Sequence, residues 1–293
     1  MGIRHDLKHS ILEILKHNRD GSKNTQASRR KRLLMVANQL VNDGYQLRHI
    51  HMLKSKHIHH LVSNWLEEGK LAGTLKNRMT DLRWLAGKLG KPDLVPARND
   101  SLNIPRRQYI TNEDKSLILS DGDISKIDDE DVKLSLLLQK VFGLRREESI
   151  KIRINQAVFG DELRLKGPWC KNGRPRTVQI TYPEQWEAIE KVKAYIGKRN
   201  RALIPKEKTY YQQLRRYENQ LAKADIHKAH GLRHAYAQRL YRDLTGWDCP
   251  AKGGPTKKML SQEQLQIDIA AREKISIALG HERLPVVAIY CGQ

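Results

Sequence analysis

The sequence is short of what several protein classes require. It has 3 cysteines in 293 residues. Cys170, Cys249 and Cys291 are odd in number and lack C-x-x-C spacing, so neither a disulfide framework nor a zinc finger is indicated. That usage fits a reducing compartment. No apolar run approaches the ~18–20 residues of a membrane helix; Leu134–Leu138 is broken by Ser135. The opening Met1-Gly2-Ile3-Arg4-His5-Asp6 has no apolar core of a secretory signal. No G-x-x-x-x-G-K-[ST] loop occurs, since Gly253-Gly254-Pro255-Thr256-Lys257 has the composition without the spacing, and H-E-x-x-H is missing. Internal repeats and low-complexity tracts are missing too. Acidic residues are the last shortage: 54 Lys and Arg face 33 Asp and Glu, a net charge of +21.

What remains is a folded, basic chain. With 39% apolar and 30% charged residues, it is long enough for two domains with a core each. A surplus of this size points to nucleic acid before membranes or acidic proteins. The expected protein is soluble and intracellular, with nucleic acid as its partner.

The surplus is uneven. Residues 1–110 carry 21 Lys/Arg against 9 Asp/Glu, and eight of the 12 histidines. Apolar residues recur at helical spacing through Leu7, Ile11 and Leu15, then Leu33, Ala37 and Leu40. The pattern continues through Ile58, Leu61 and Trp65, and through Leu75, Met79 and Leu82. Thr25 or Ser28 is the expected cap of the second helix, and Asp43-Gly44 its end. Four such helices make a bundle over 1–90. Pro92, Pro96 and Pro105 mark a basic linker over 91–112. The second domain, 113–293, reads as mixed. A helix through Val132–Val141 ends at Gly143. Strands are expected at Ile150–Val158, Glu162–Leu165 and Arg176–Thr181, with Gly160-Asp161 and Asn172-Gly173 as turns. Helical patterns return at Glu184–Ile196, Tyr211–Ala222, Leu232–Leu244 and Gln262–Leu279. The fold class is therefore mainly α with a small antiparallel β-sheet in the second domain.

His49, His51, His57, His59 and His60 lack carboxylate or thiolate partners at ligand spacing, so no metal site and no cofactor is assigned. Arg29-Arg30-Lys31-Arg32 lies inside a helical pattern and reads as a solvated or DNA-facing flank. Three segments of the second domain stand out. They are Gly143-Leu144-Arg145-Arg146-Glu147-Glu148, His230-Gly231-Leu232-Arg233-His234, and Leu279-Gly280-His281 followed nine residues on by Tyr290. Lys171 lies between the first two, beside Asn172-Gly173. Each is ordinary alone. Together they supply what attack by a tyrosine on a DNA phosphodiester requires. Guanidiniums clamp phosphate oxygens and offset transition-state charge. A lysine protonates the departing 5′ oxygen, and a histidine takes the phenolic proton.

In these segments the chain resembles the tyrosine recombinases, or phage integrases. The resemblance covers the second domain by motif and the N-terminal bundle, similar to a core-binding domain, by shape. It implies that Arg145 and Arg233 hold the scissile phosphate and that Lys171 is the general acid, with Lys166 the alternative. It implies that His230 assists proton transfer and that His281 contacts the phosphate or positions the nucleophile. Tyr290 would form a 3′-phosphotyrosyl link, and Glu148 would buttress the active-site arginine and histidine. The implied enzyme closes on duplex DNA as a clamp and exchanges strands as a tetramer on two sites. Integration and excision of a mobile element is the implied task, with accessory DNA-bending proteins as further partners. A type IB topoisomerase and a catalytically silent architectural protein are the rival readings. Two departures from the pattern stand out. From Arg233 to His281 the chain runs 48 residues, longer than usual, and Gly246–Pro255 reads as an inserted loop. The chain also stops three residues after Tyr290, where many relatives continue into a helix that docks on the neighbouring subunit.

The charge distribution makes a prediction. Residues 113–293 alone should bind duplex DNA weakly at physiological salt and recover partly at low salt. Each phosphate contact removed with the bundle should flatten the slope of log K against log salt by about 0.9. An unchanged affinity and slope, measured by salt titration, would refute the bundle's role.

Overall fold

The apolar spacing of the N-terminal region becomes four helices in the computed structural model, which describes residues 2–281 and 283–293. They are α1 (Ile3–His17), α2 (Lys23–Asn42), α3 (Ser55–Glu67) and α4 (Ala72–Lys88). Their apolar faces meet in one core that includes Leu7, Leu33, Leu61, Trp65 and Met79. The cap of α2 is Ser22, whose side chain accepts from the Thr25 amide, rather than Thr25 or Ser28. The helix thus starts earlier, because Ser22 is the first residue able to satisfy a free amide of its opening turn.

The basic run of α2 is not wholly a surface flank. Arg29 is buried, stacks on Trp84 at 4.0 Å and lies 3.7 Å from Asp81, while Arg32 is bonded to the same buried carboxylate. Half of the run holds α2 to α4. Among the histidines, His57 is buried and His60 pairs with Asp43 at 2.8 Å. No group of three or more His, Cys, Asp or Glu side chains able to hold a metal occurs among the described residues.

The chain divides into two compact units, Met1–Gln108 and Tyr109–Gln293. Most of the proline-marked segment packs within the first. Val95, Leu102 and Ile104 join its core, and Arg83 bonds the Pro96 carbonyl at 2.8 Å and Asn99 at 2.6 Å.

The second unit runs α5 (Asp121–Ser125), α6 (Glu130–Phe142), α7 (Arg146–Lys151), β1 (Val158–Phe159), β2 (Glu162–Leu165) and β3 (Arg176–Gln179). It continues with α8 (Pro183–Ile196), α9 (Tyr210–Lys223), α10 (Gly231–Thr245), α11 (Gln262–Leu279) and α12 (Ala288–Cys291). The sheet is antiparallel in the order β1-β2-β3, with Leu163 opposite Val178. Its buried face and helices α6, α8, α10 and α11 share one core.

The expected strand at Ile150–Val158 is a correction. Ile150 lies in the last turn of α7, Ile152 caps that helix and Ile154 opens a 3-10 turn, so only Val158–Phe159 pairs. The alternating isoleucines are buried, but in successive turns rather than on one face of a strand. All three cysteines are free and buried, small fillers in this core. No helix among the described residues is long and apolar enough to cross a membrane.

Gly143 closes α6 with φ 60°. A Cβ there would lie 2.5 Å from the ring of Tyr236, so both backbone and packing demand glycine. Gly143→Ala should destabilise the second unit by about 2–4 kcal/mol. Gly44→Ala is the control, since Gly44 has φ +87° but open space around it, and it should cost about 1 kcal/mol. Thermal unfolding with hydrogen exchange resolved by unit would check both.

Candidate active site

Arg233 is the most buried of the expected cationic residues. It projects from the first turn of α10 and is 1% exposed. Nη1 donates to the Gly143 carbonyl at 2.5 Å, and Nη2 donates to the Leu279 carbonyl. These carbonyls lie at the C-terminal ends of α6 and α11. Helix ends of that kind carry unsatisfied acceptors and partial negative charge, which suits a buried cation. Burial still lowers the Arg233 pKa, to about 10, against the opposing pull of the Tyr290 phenol.

The third donor points at the phenol. Nε of Arg233 donates to Tyr290 Oη at 3.3 Å. On the other side, His281 Nε2 lies 3.2 Å from the same oxygen and 3.4 Å from Arg233 Nη2. The consistent direction is a relay in which Arg233 donates to the phenol oxygen and the phenol donates to His281. Burial, then Arg233, Arg145 and Arg176, hold the His281 pKa at about 4, with Glu148 opposing them. The imidazole is therefore neutral at pH 7 and able to accept.

Tyr290 is 5% exposed, and its backbone is fixed. Gln238 donates to the Tyr290 carbonyl and to Asp114, both at 3.1 Å. Arg272 donates to the Gly292 carbonyl at 2.9 Å. Asn112 accepts from the Gln293 amide at 2.9 Å and donates to its carbonyl at 3.1 Å. The inserted loop joins this anchorage. Cys249, Pro250 and Ala251 are buried, Cys249 sharing its core with Cys291, and Lys252 pairs with Asp114 at 3.0 Å.

Arg145 opens α7 and is the more accessible arginine, its side chain 22% exposed. It is tied to Glu148 twice, through Nη1 to Oε1 and its amide to Oε2, each at 2.7 Å. Glu148 is wholly buried. Burial pushes its pKa up, but Arg176 and Arg145 outweigh that and leave it lowered, so the carboxylate stays ionised.

His230 lies exposed at the start of α10, its ring 6.1 Å from that of Tyr290. Lys171 stands exposed in the ten-residue connection between β2 and β3. That connection is longer than a simple Asn172-Gly173 hairpin, although Asn172 does take positive φ, 62°. Lys166 is engaged elsewhere, with Gln156 at 3.0 Å and over Trp169 at 5.7 Å. The structure thus gathers Arg145, Glu148, Arg233, His281 and Tyr290 and sets His230 at the rim, while Lys171 is exposed on its connection and Lys166 is engaged with Gln156.

Sequence reasoning missed Arg176, Gln238 and His234. His234 is the fifth residue of His230-Gly231-Leu232-Arg233-His234 and so was in view. It is buried, its ring 4.7 Å from that of Tyr290, and its Nδ1 has no partner. Burial, then His230 and Lys115, lower its pKa to about 4. With folded values near 4 against 6.5 unfolded, His234 and His281 contribute stability that is complete above pH 6.5 and lost as pH falls toward 4.

Comparison with known proteins places this geometry. The phage integrase N-terminal family matches residues 5–95, and the integrase family matches residues 108–239. The second match ends before His281 and Tyr290. No curated protein matches the chain. Among solved structures, XerH site-specific recombinase bound to palindromic difH substrate superposes with a TM-score of 0.54 at 16% identity, over 97% of this chain and 80% of that one. A lambda integrase dimer bound to a COC′ core site gives 0.58 at 14% identity, over 95% and 76%. The Tn1549 transposon integrase in complex with circular intermediate DNA gives 0.53 at 14% identity, over 100% and 96%. At such identities the structural likeness speaks for the fold. With the two integrase families matched in chain order over most of the sequence, the chain belongs to the tyrosine recombinase, or phage integrase, family.

Proposed function

We propose that this chain is a site-specific DNA recombinase that cleaves and rejoins duplex DNA through a phosphotyrosine at Tyr290. One observation carries the reading: the Tyr290 hydroxyl lies between a donor, Arg233 Nε, at 3.3 Å and an acceptor, His281 Nε2, at 3.2 Å. That arrangement supplies what a phenol needs to attack phosphorus. The cation favours the developing phenolate, and the neutral imidazole takes the proton. This gives His281, rather than His230, the base role, and His230 a place at the rim facing the substrate.

The phosphate would meet Arg145 first, since Arg145 is the open guanidinium and Glu148 fixes its direction. Arg233, already engaged by protein acceptors, acts on the nucleophile and on the phosphate oxygen beside it. Lys171 would protonate the leaving 5′ oxygen once the hairpin closes on DNA. Its exposure suits a residue recruited by the substrate. The cleaved bond's energy stays in the phosphotyrosine, and a 5′ hydroxyl from the partner duplex recovers it. Residues 1–90 would grip DNA and 113–293 would cut it. XerH is bound to a difH substrate and the Tn1549 transposon integrase is in complex with circular intermediate DNA. By analogy the substrate here is the junction of a mobile element, with tetramers on two sites as the working assembly in the bacterial cytoplasm.

The test is a covalent adduct. The protein is incubated with duplexes covering both flanks of its own gene, and denaturing gels are read for protein joined to DNA. Tyr290→Phe should bind these duplexes with less than about twofold loss yet form no adduct, because one hydroxyl is removed and the basic surface stays. An adduct from the Phe variant would refute the assignment. Relaxed circles without exchanged strands would favour the topoisomerase reading.

Lys171→Ala should slow cleavage of ordinary DNA by about 10²–10⁴-fold. It should slow cleavage of a 5′-bridging phosphorothiolate far less, since a sulfur leaving group hardly needs a proton. Equal losses on both substrates would remove Lys171 from that role and return Lys166 to it.

A further inference from the structure

Arg176, which sequence reasoning passed over, ties β3 both to α7 and to the end of α11. It is the first residue of β3, on the strand that leaves the lysine-bearing connection. Its side chain is 5% exposed. Nη1 donates to Glu148 Oε1 at 2.6 Å, the same oxygen that Arg145 holds at 2.7 Å. Nε donates to the Ala278 carbonyl in the last turn of α11 at 3.0 Å. Two residues on, Gly280 turns the chain with φ 63°, and a Cβ there would lie 2.5 Å from Arg176 Cδ. His281 follows directly. Nη2 of Arg176 is buried with no partner, a state that a residue placed only for packing has no reason to keep.

We propose that Arg176 is a positioning residue of the cleavage site, one guanidinium that sets the Arg145–Glu148 pair, the Lys171 connection and the His281 turn in a single register. This rests on the reading of the site given above. Arg176 acts through its neighbours in two separable ways. As a fork, it spans two acceptors on different elements, which the point charge of a lysine cannot do in one geometry. As a charge, it adds to the field on His281. The groups facing that imidazole are Arg233 from α10, Tyr290 from α12, Arg145 and Glu148 from α7, and Arg176 from β3. Of these, Glu148 favours its protonation.

Two variants separate fork from charge without any DNA. Arg176→Lys keeps the charge and loses the fork; Arg176→Met loses both. Histidine ring signals are titrated by NMR, with His281 assigned by its disappearance in His281→Asn. In Arg176→Met the His281 midpoint should rise from about 4 by about half a unit, and in Arg176→Lys it should stay. Amide exchange over residues 166–175 and 279–281 should quicken about tenfold in both variants. A His281 midpoint unmoved in Arg176→Met overturns the charge effect, and unchanged exchange in Arg176→Lys overturns the register. If Arg176→Met does not fold, the Lys variant alone decides the register. None of these readings depends on the adduct assay, so failure of the recombinase reading shows there and failure of this proposal shows here.

Discussion

A buried guanidinium strung between two helix ends governs the catalytic unit. Arg233 can be 1% exposed because the C-terminal carbonyls of α6 and α11 neutralise it in part and receive its donors. Both helices must therefore stop at defined residues and point their last carbonyls at one place. Gly143 and Gly280 make those stops, each in left-handed backbone and each in close contact with a side chain that would reject a Cβ. The tyrosine then completes the coordination of the arginine. Phenol and cation are thus bound to each other before any substrate arrives, which for the proposed nucleophile would be a form of preorganisation that needs no rearrangement of charge at the moment of reaction.

Around that cation the electrostatics are one-sided. Arg145, Arg176 and Arg233 lie close together with Glu148 as the buried counter-charge. Such a cluster is unfavourable alone and finds its balance in a bound phosphate. The same surplus keeps His281 neutral far below physiological pH. In the proposed reaction, one arrangement would therefore prepare the anion site and the proton acceptor together.

Much of this was legible in the sequence, and for identifiable reasons. The bundle helices and α6 follow from apolar spacing. The site residues lie in short motifs whose order is unusual even where each motif is ordinary. The failures have physical causes as well. Ile150, Ile152 and Ile154 alternate as a strand would, but tertiary burial of consecutive turns produces the same alternation. Arg176 bonds Ala278 across 102 residues and Glu148 across 28, distances at which no periodicity announces a contact. Gln238 looks like one more polar residue on α10 until the C-terminal segment folds against it. The shared role of Arg29 and Arg32 is hidden in the same way, since only the fold brings Asp81 to them.

The anchorage of Tyr290 bears on which molecule moves during strand exchange. With Gln238, Arg272 and Asn112 holding the backbone from Tyr290 to Gln293, the phenol is left with side-chain rotation as its main freedom. A DNA 3′ end joined to it would be fastened to a stiff post rather than to a leash. In the proposed reaction the travelling partner would then be the freed 5′ end, crossing to the post of another protomer under the mechanics of the DNA itself. Local duplex stiffness and unpairing near the cut, more than protein flexibility, would set the pace of exchange.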